Sequence, residues 1–156
     1  MNLSPKTKKL LAQLIKFAFV GGTAFLIDFV ITMLVSAFFR SQHFSTETAA
    51  TIGGVFGFTI SLIYNYFMSM RFVFERREDL SRKTEFVIFT ILSLVGLALN
   101  AAILYFGVVI CKALLPQFSE DQPGIVTAGV KIVATMIVMI YNFISRKMTL
   151  EKKNEA

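Results

Sequence analysis

Four long apolar runs limit what this chain can become. Phe17 to Phe39 is 23 residues with Asp28 as its only charge, and Thr48 to Met70 is 23 residues with none. Phe86 to Val109 is 24 residues with none, and Ile125 to Ser145 is 21 with only Lys131. About 20 apolar residues at about 1.5 Å each cross a hydrocarbon core of about 30 Å, so every run is long enough to span. The pattern predicts an all-α membrane protein: a single domain over 1–156 with transmembrane helices at about 17–39, 48–70, 86–109 and 125–145. The connections are too short to hold a separate catalytic domain. Composition agrees, with 55% hydrophobic and 17% charged residues, against roughly 25% charged in a soluble domain.

A net charge of +6 would suggest nucleic acid in a soluble protein, but here the charges cluster between spans and no nucleic-acid partner is expected. The amino-terminal segment, the segment 71–85 and the tail carry thirteen Lys and Arg, against Arg40 and Lys112 in the two other connections. By the positive-inside bias, both termini and the middle connection lie in the cytoplasm. The first run is too long for a cleaved signal sequence and lacks a small-x-small site, so it reads as a span. Leu10, Leu11, Leu14, Ile15 and Ala18 fall near one helical face and Lys6, Lys9, Gln13 and Lys16 on the other, the pattern of an interfacial helix leading into span one. Prolines at Leu115-Pro116-Gln117 and Gln122-Pro123-Gly124 bracket the outer connection. A single cysteine (Cys111) and a single histidine (His43) exclude a disulfide framework or a multi-cysteine metal site. Neither an enzyme activity nor a cofactor or metal is expected, because the polar residues lie along helical seams and form no nucleophile and base arrangement.

The chain also repeats itself. Ile63-Tyr64-Asn65-Tyr66-Phe67 at the end of span two is echoed by Ile140-Tyr141-Asn142-Phe143-Ile144 at the end of span four. Aligning Asp28 with Asn100 places Ala24 against Gly96 and Gly21 against Ser93. The unit is two helices, and an even unit re-enters the membrane in the same sense. Two parallel repeats about an axis along the membrane normal are therefore expected.

Each span carries small or polar residues at spacings of three, four or seven, among them Asp28, Asn65, Asn100 and Asn142. Close helix packing through small residues accounts for the glycines and serines, but less well for the charged groups. Asp28 lies near the bilayer midplane, where an ionised carboxylate costs at least about 2.5 to 3.5 kcal/mol, so it must be paired, protonated or wetted. Lys131 lies six residues inside the outer end of span four and eleven before Asn142, on nearly the same face. Either it snorkels to the surface or it fixes positive charge at the outer end of a polar seam. Arg71, Arg146 and Lys147 put positive charge at the cytoplasmic mouth. A phosphate could be held at either end, with sugar hydroxyls between.

These residues carry a resemblance. Phe17-Ala18-Phe19-Val20-Gly21-Gly22 with Asp28 downstream, Asn65 through Arg71-Phe72-Val73-Phe74 closing span two, and Lys131 eleven residues before Asn142-Phe143 are similar to the GtrA-like family of small four-span bacterial membrane proteins. The second copy departs from the family's pattern, ending Met148-Thr149-Leu150 without the aromatics. The resemblance implies a flippase in the bacterial cytoplasmic (inner) membrane. Its cargo would be a polyprenyl-phosphate-linked monosaccharide, such as an undecaprenyl phosphate sugar, made by one membrane glycosyltransferase and used by another on O antigen, teichoic acid or a similar polymer. Lys131, Arg71, Arg146 and Lys147 would then meet the lipid phosphate, and Asp28, Asn65, Asn100 and Asn142 the sugar. Four helices are few to enclose such a path, so a homo-oligomer, most simply a dimer, is expected. Two alternatives remain at this point: a noncatalytic scaffold for a glycosyltransferase, and a small proton-coupled exporter of cations built on Asp28.

Overall fold

Three helices open on one short pattern, Ser-x-x-Thr. In the computed structural model, which describes residues 4–152, these are α1 (Pro5–Ser41), α2 (Thr46–Phe72) and α3 (Arg82–Leu114). The hydroxyls of Ser4, Ser45 and Ser81 accept the backbone N–H of Thr7, Thr48 and Thr84, each at 3.2 Å. Serine and threonine hydroxyls are hydrogen-bonded to each other within all three caps. Each cap satisfies a donor the helix leaves open, worth about 1 kcal/mol.

The other starts and stops are set by proline and by one left-handed residue. Leu115 and Gln122 each precede a proline and share an extended φ of −132°, since the proline ring disfavours helical backbone before it. Between them lies a short α4 (Pro116–Asp121), followed by α5 (Pro123–Leu150). Ser119 donates its hydroxyl to the carbonyl of Cys111 at 3.1 Å, which also accepts the N–H of Leu115 at the end of α3. At the end of α1 the chain reverses over His43, whose φ is +67°. Its N–H donates to Arg40 O and that of Phe44 to Phe39 O, while the Phe39 and Phe44 rings meet edge to face at 5.3 Å. This is a Schellman termination with its apolar contact. The one histidine is a turn residue.

The helices form two antiparallel hairpins. α1 packs along α2, and α3 along α5 with α4 beside both; the first hairpin also takes in the residues from Glu151 onward. In hairpin one, the glycines of α2 admit the backbone of α1. A Cβ on Gly57 would lie 2.6 Å from both the Asp28 carbonyl and its Oδ1, and one on Gly53 would lie 2.6 Å from the Thr32 carbonyl. In hairpin two, a Cβ on Gly96 would lie 2.9 Å from Asn142 Oδ1.

Only 11 to 22% of the residues in the apolar core of each long helix are buried. Phe19, Phe25, Leu26, Tyr105, Phe106 and Ile132 are among the large side chains left outside, whereas Ser36, Ser61, Ser69, Gly53 and Gly57 are inside. This inversion suits a solvent of acyl chains. The four long helices measure 37, 27, 33 and 28 residues, so each extends beyond about 30 Å of hydrocarbon. The fold is all-helical, with four helices of membrane length. α1 is unbroken, so the expected interfacial segment is its first turns. Leu10, Leu11 and Ile15 are exposed, as an apolar face turned to lipid requires, but Gln13 of the polar face is buried, at 7% exposure.

Burial follows the sequence repeat. Shifting α1 by 72 residues, Asp28 onto Asn100, pairs Gln13 with Glu85, Phe17 with Phe89 and Ala24 with Gly96, all buried. Shifting α2 by 77, Asn65 onto Asn142, pairs Ala49 with Val126, Gly57 with Ala134, Tyr66 with Phe143 and Ser69 with Arg146, again all buried. At these positions the two hairpins bury matching residues.

Gly54 and Gly57 provide a matched test, because a Cβ on Gly54 meets nothing within 4 Å. Gly54→Ala should leave stability unchanged or raise it by up to about 1 kcal/mol through helix propensity. Gly57→Ala should lower it by about 1 to 3 kcal/mol through overpacking. Thermal unfolding in detergent separates them, and equal melting temperatures would mean that the close approach does not hold the hairpin.

Candidate functional site

In hairpin one the polar residues of α1 recur every four positions, at Asp28, Thr32 and Ser36, and therefore share one face. That face meets α2. Asp28 is half-buried against Gly57, and Ser36 Oγ is buried without a hydrogen-bond partner. Further along, Tyr64 donates its hydroxyl to Thr23 Oγ1 at 3.1 Å, and Ser69 donates to Asn65 Oδ1, also at 3.1 Å. Asp28 and Asn65 thus both lie in hairpin one, Asp28 between the helices and Asn65 held from within its own helix.

Hairpin two carries Asn100, Asn142, Lys131, Arg146 and Lys147. Asn142 rests on Gly96, and its Oδ1 is buried with no hydrogen-bond partner. Asn100, one turn beyond Gly96 on α3, is half-buried, as is Lys147 near the end of α5; Lys131 is exposed. Arg146 sits differently from a cation at an open mouth. It is 2% exposed, its Nη2 donates to Ser93 Oγ at 2.8 Å, and its guanidinium carbon lies 3.8 Å from the centre of the Phe89 ring. Ser93 in turn donates to the Phe89 carbonyl at 2.8 Å. A planar cation on an aromatic face with a fixed hydroxyl partner is a packing element of the hairpin. One turn before Phe89, Glu85 is fully buried, with Oε2 3.8 Å from Arg82 Nη1.

A third feature gathers at the end of hairpin one where α1 begins and α2 ends. There a cleft of about 270 Å³ has Lys9, Gln13, Lys16, Arg71, Phe72 and Glu75 among its lining residues. Gln13 closes it below, donating from Nε2 to the Val73 carbonyl and to Glu151 Oε2, both at 2.8 Å. The Lys9 ammonium donates to Glu75 Oε1 at 2.9 Å. Lys152 N–H donates to the Glu75 carbonyl at 2.7 Å, and Arg76 and Glu151 form an antiparallel bridge. The Arg71 guanidinium lies 5.7 Å from the centre of the Phe72 ring. In the connector beyond, Arg77 holds the Asp79 carboxyl below the usual carboxylate range through a charge-assisted hydrogen bond.

Sequence reasoning singled out Arg71 but did not join it to Lys9 and Lys16, and it put Gln13 on an outward polar face. A glutamine among lysines on an amphipathic stretch gives no sign that its amide turns inward. Glu85 and its partner position Gln13 were legible in principle, because they fall on the same repeat position and both are polar.

Replacing Arg146 by lysine removes the planar stack and its geometry with Ser93. A loss of about 1 to 3 kcal/mol is expected, read as a lower melting temperature in detergent. Lys131→Gln, at an exposed position, should melt with the wild type. Equal melting of Arg146→Lys and wild type would show that the stack contributes nothing.

No curated protein and no solved structure matches the chain. The family model for the GtrA/DPMS transmembrane domain matches residues 16–150, which takes in α2, α3 and α5 whole and α1 from Lys16 onward. The chain belongs to the GtrA/DPMS transmembrane-domain family.

Proposed function

We propose that this protein moves a polyprenyl-phosphate-linked monosaccharide from the cytoplasmic to the outer leaflet of a bacterial inner membrane, for glycosylation of a cell-surface polysaccharide. Membership of the family supports a membrane protein acting in glycosylation-related lipid-linked sugar processes. The observation that carries the finer reading is the polar content of the hairpins. Asp28 lies against Gly57 and Asn142 against Gly96, within helices whose outer faces are bulky and apolar. Intramembrane polar groups of this kind mark substrate paths.

A sugar phosphate cannot shed its water into hydrocarbon unaided, since unpaired polar groups there cost several kcal/mol each. The prenyl tail remains in lipid along the apolar outer faces while the headgroup exchanges water for protein partners. Asp28, Asn65, Asn100 and Asn142 supply acceptors and amide donors suited to sugar hydroxyls. Arg71 and Lys147 at one membrane face and Lys131 toward the other attract the phosphodiester. Arg146 contributes to the same positive field while serving as the hairpin's stacked anchor. The concentration gradient of lipid-linked sugar drives the movement, or protons do so through Asp28. Both termini lie in the cytoplasm, the two hairpins act as parallel repeats, and the working form is a homodimer served by partner membrane glycosyltransferases on each side.

An exporter of lipophilic cations would be repelled by Lys131 and by the basic end of each hairpin. A scaffold for a glycosyltransferase remains the reading to beat, and transport itself separates the two. In proteoliposomes, a polyprenyl-phosphate sugar placed in one leaflet should reach an impermeant reagent on the other at least tenfold faster than in empty vesicles. Lys131→Gln and Asp28→Asn should each reduce that rate by about tenfold or more. Unchanged exchange across several sugars, with the fold intact, would favour the scaffold.

A further inference from the structure

The cleft at the end of hairpin one has a charge pattern that packing does not explain. Lys9, Lys16 and Arg71 line it against one carboxylate, Glu75, with Glu151 behind the Gln13 amide. Among the described residues neither Lys16 nor Arg71 has a carboxylate partner. Lys9 pairs with Glu75, which leaves Lys16 and Arg71 as the lining cations without such a pair among the described residues.

The repeat shows that this is no general property of the fold. Under the same shifts, Lys9, Lys16 and Arg71 correspond to Ser81, Ile88 and Met148 in hairpin two. The buried framework around them is nevertheless kept: Gln13 matches Glu85, Phe17 matches Phe89 and Val73 matches Leu150, all buried. The cations are therefore additions to a shared plan. Their depth is also defined. Lys16 immediately precedes the first apolar run and Arg71 immediately follows the second, which sets the cleft at headgroup level where hydrocarbon gives way to water.

We propose that this cleft seats the anionic phosphodiester headgroup of a membrane lipid. The proposal rests on the reading that the protein handles lipid-linked sugars, and names the place where such a lipid docks before crossing. A void of about 270 Å³ is below the range of pockets that enclose whole drug-sized ligands, so it accepts a headgroup and leaves the chains in the bilayer. Arg71 offers a planar fork for two phosphate oxygens, and Lys16 a mobile point charge. Phe72, exposed beside Arg71, presents an aromatic surface at the rim. Glu75 holds Lys9 in place, so the incoming anion meets Lys16 and Arg71 first.

Two lipids share this chemistry, a polyprenyl-phosphate-linked sugar and an ordinary anionic phospholipid. The test uses the full chain in phosphatidylcholine nanodiscs, titrated with either a polyprenyl-phosphate glucose or phosphatidylglycerol, with bound lipid counted by native mass spectrometry. The wild type should bind at least one of the two more than tenfold tighter than phosphatidylcholine. Lys16→Gln with Arg71→Gln should abolish that preference, and Arg40→Gln, the loss of one charge at the far end of α1, should leave it intact. Preference for the sugar lipid identifies a cargo-loading site. Equal binding of both, lost together in the double variant, identifies a general phosphodiester seat. Wild-type binding by the double variant overturns the proposal, as does the absence of any preference in the wild type. If the double variant fails to fold, Lys16→Gln alone, at an exposed position, carries the same comparison with a threefold or greater loss expected. Translocation assays keep the two ideas apart. Binding that depends on Lys16 and Arg71 without any accelerated exchange keeps the cleft and rejects the flippase; accelerated exchange with binding indifferent to both residues does the reverse.

Discussion

Helices in a bilayer gain little from hiding apolar side chains from one another, because acyl chains solvate leucine as well as another helix does. What lipid cannot supply is backbone-to-backbone contact at short range and a partner for a polar group. Each hairpin is organised around those two things. The approach of α1 to Gly53 and Gly57 brings carbonyls and hydroxyls within the space a side chain would fill. With Asp28, Thr32 and Ser36 facing that seam, the polar residues lie against the partner helix and the phenylalanines lie outside.

The same constraint explains what could be read from the chain and what could not. Run lengths, the three Ser-x-x-Thr caps and the pre-proline breaks at Leu115 and Gln122 depend on local chemistry, and the helices begin and end where that chemistry places them. Direction of facing is another matter. The amphipathic reading turns Leu10, Leu11 and Ile15 to lipid and leaves Gln13 with the lysines on the polar side. In a segment entering a bilayer the leucines have a solvent of their own, and the glutamine has the stronger need of a partner. It finds Val73 O and Glu151 Oε2, the second of them 138 residues away in sequence. No local pattern announces such a contact. Arg146 is the converse: a cation in a basic cluster that reads as surface charge but is enclosed, because Phe89 and Ser93 stand one turn apart on the facing helix.

The repeat reconciles these cases. Several matched positions are buried in both hairpins although the residues placed there differ: Ser69 against Arg146, Gly57 against Ala134, Gln13 against Glu85. Hairpin one spends its polar capacity on a close seam and keeps Lys16 and Arg71 without carboxylate partners at its end. Hairpin two spends an arginine on its own interior. Matched buried positions can differ this way only where burial is satisfied by either solution, a serine with an intrahelical partner or an arginine with a ring and a hydroxyl. Divergence of charge at fixed burial is therefore informative about function, because stability alone accepts both versions.

The same comparison bears on the exposed cations. Lys131 is exposed on α5, and its counterpart under the shift of 77 is Gly54, so this cation, like Lys16 and Arg71 of the cleft in hairpin one, stands in one hairpin alone. A charge that the matching position of the other hairpin lacks is not needed to pack the helices.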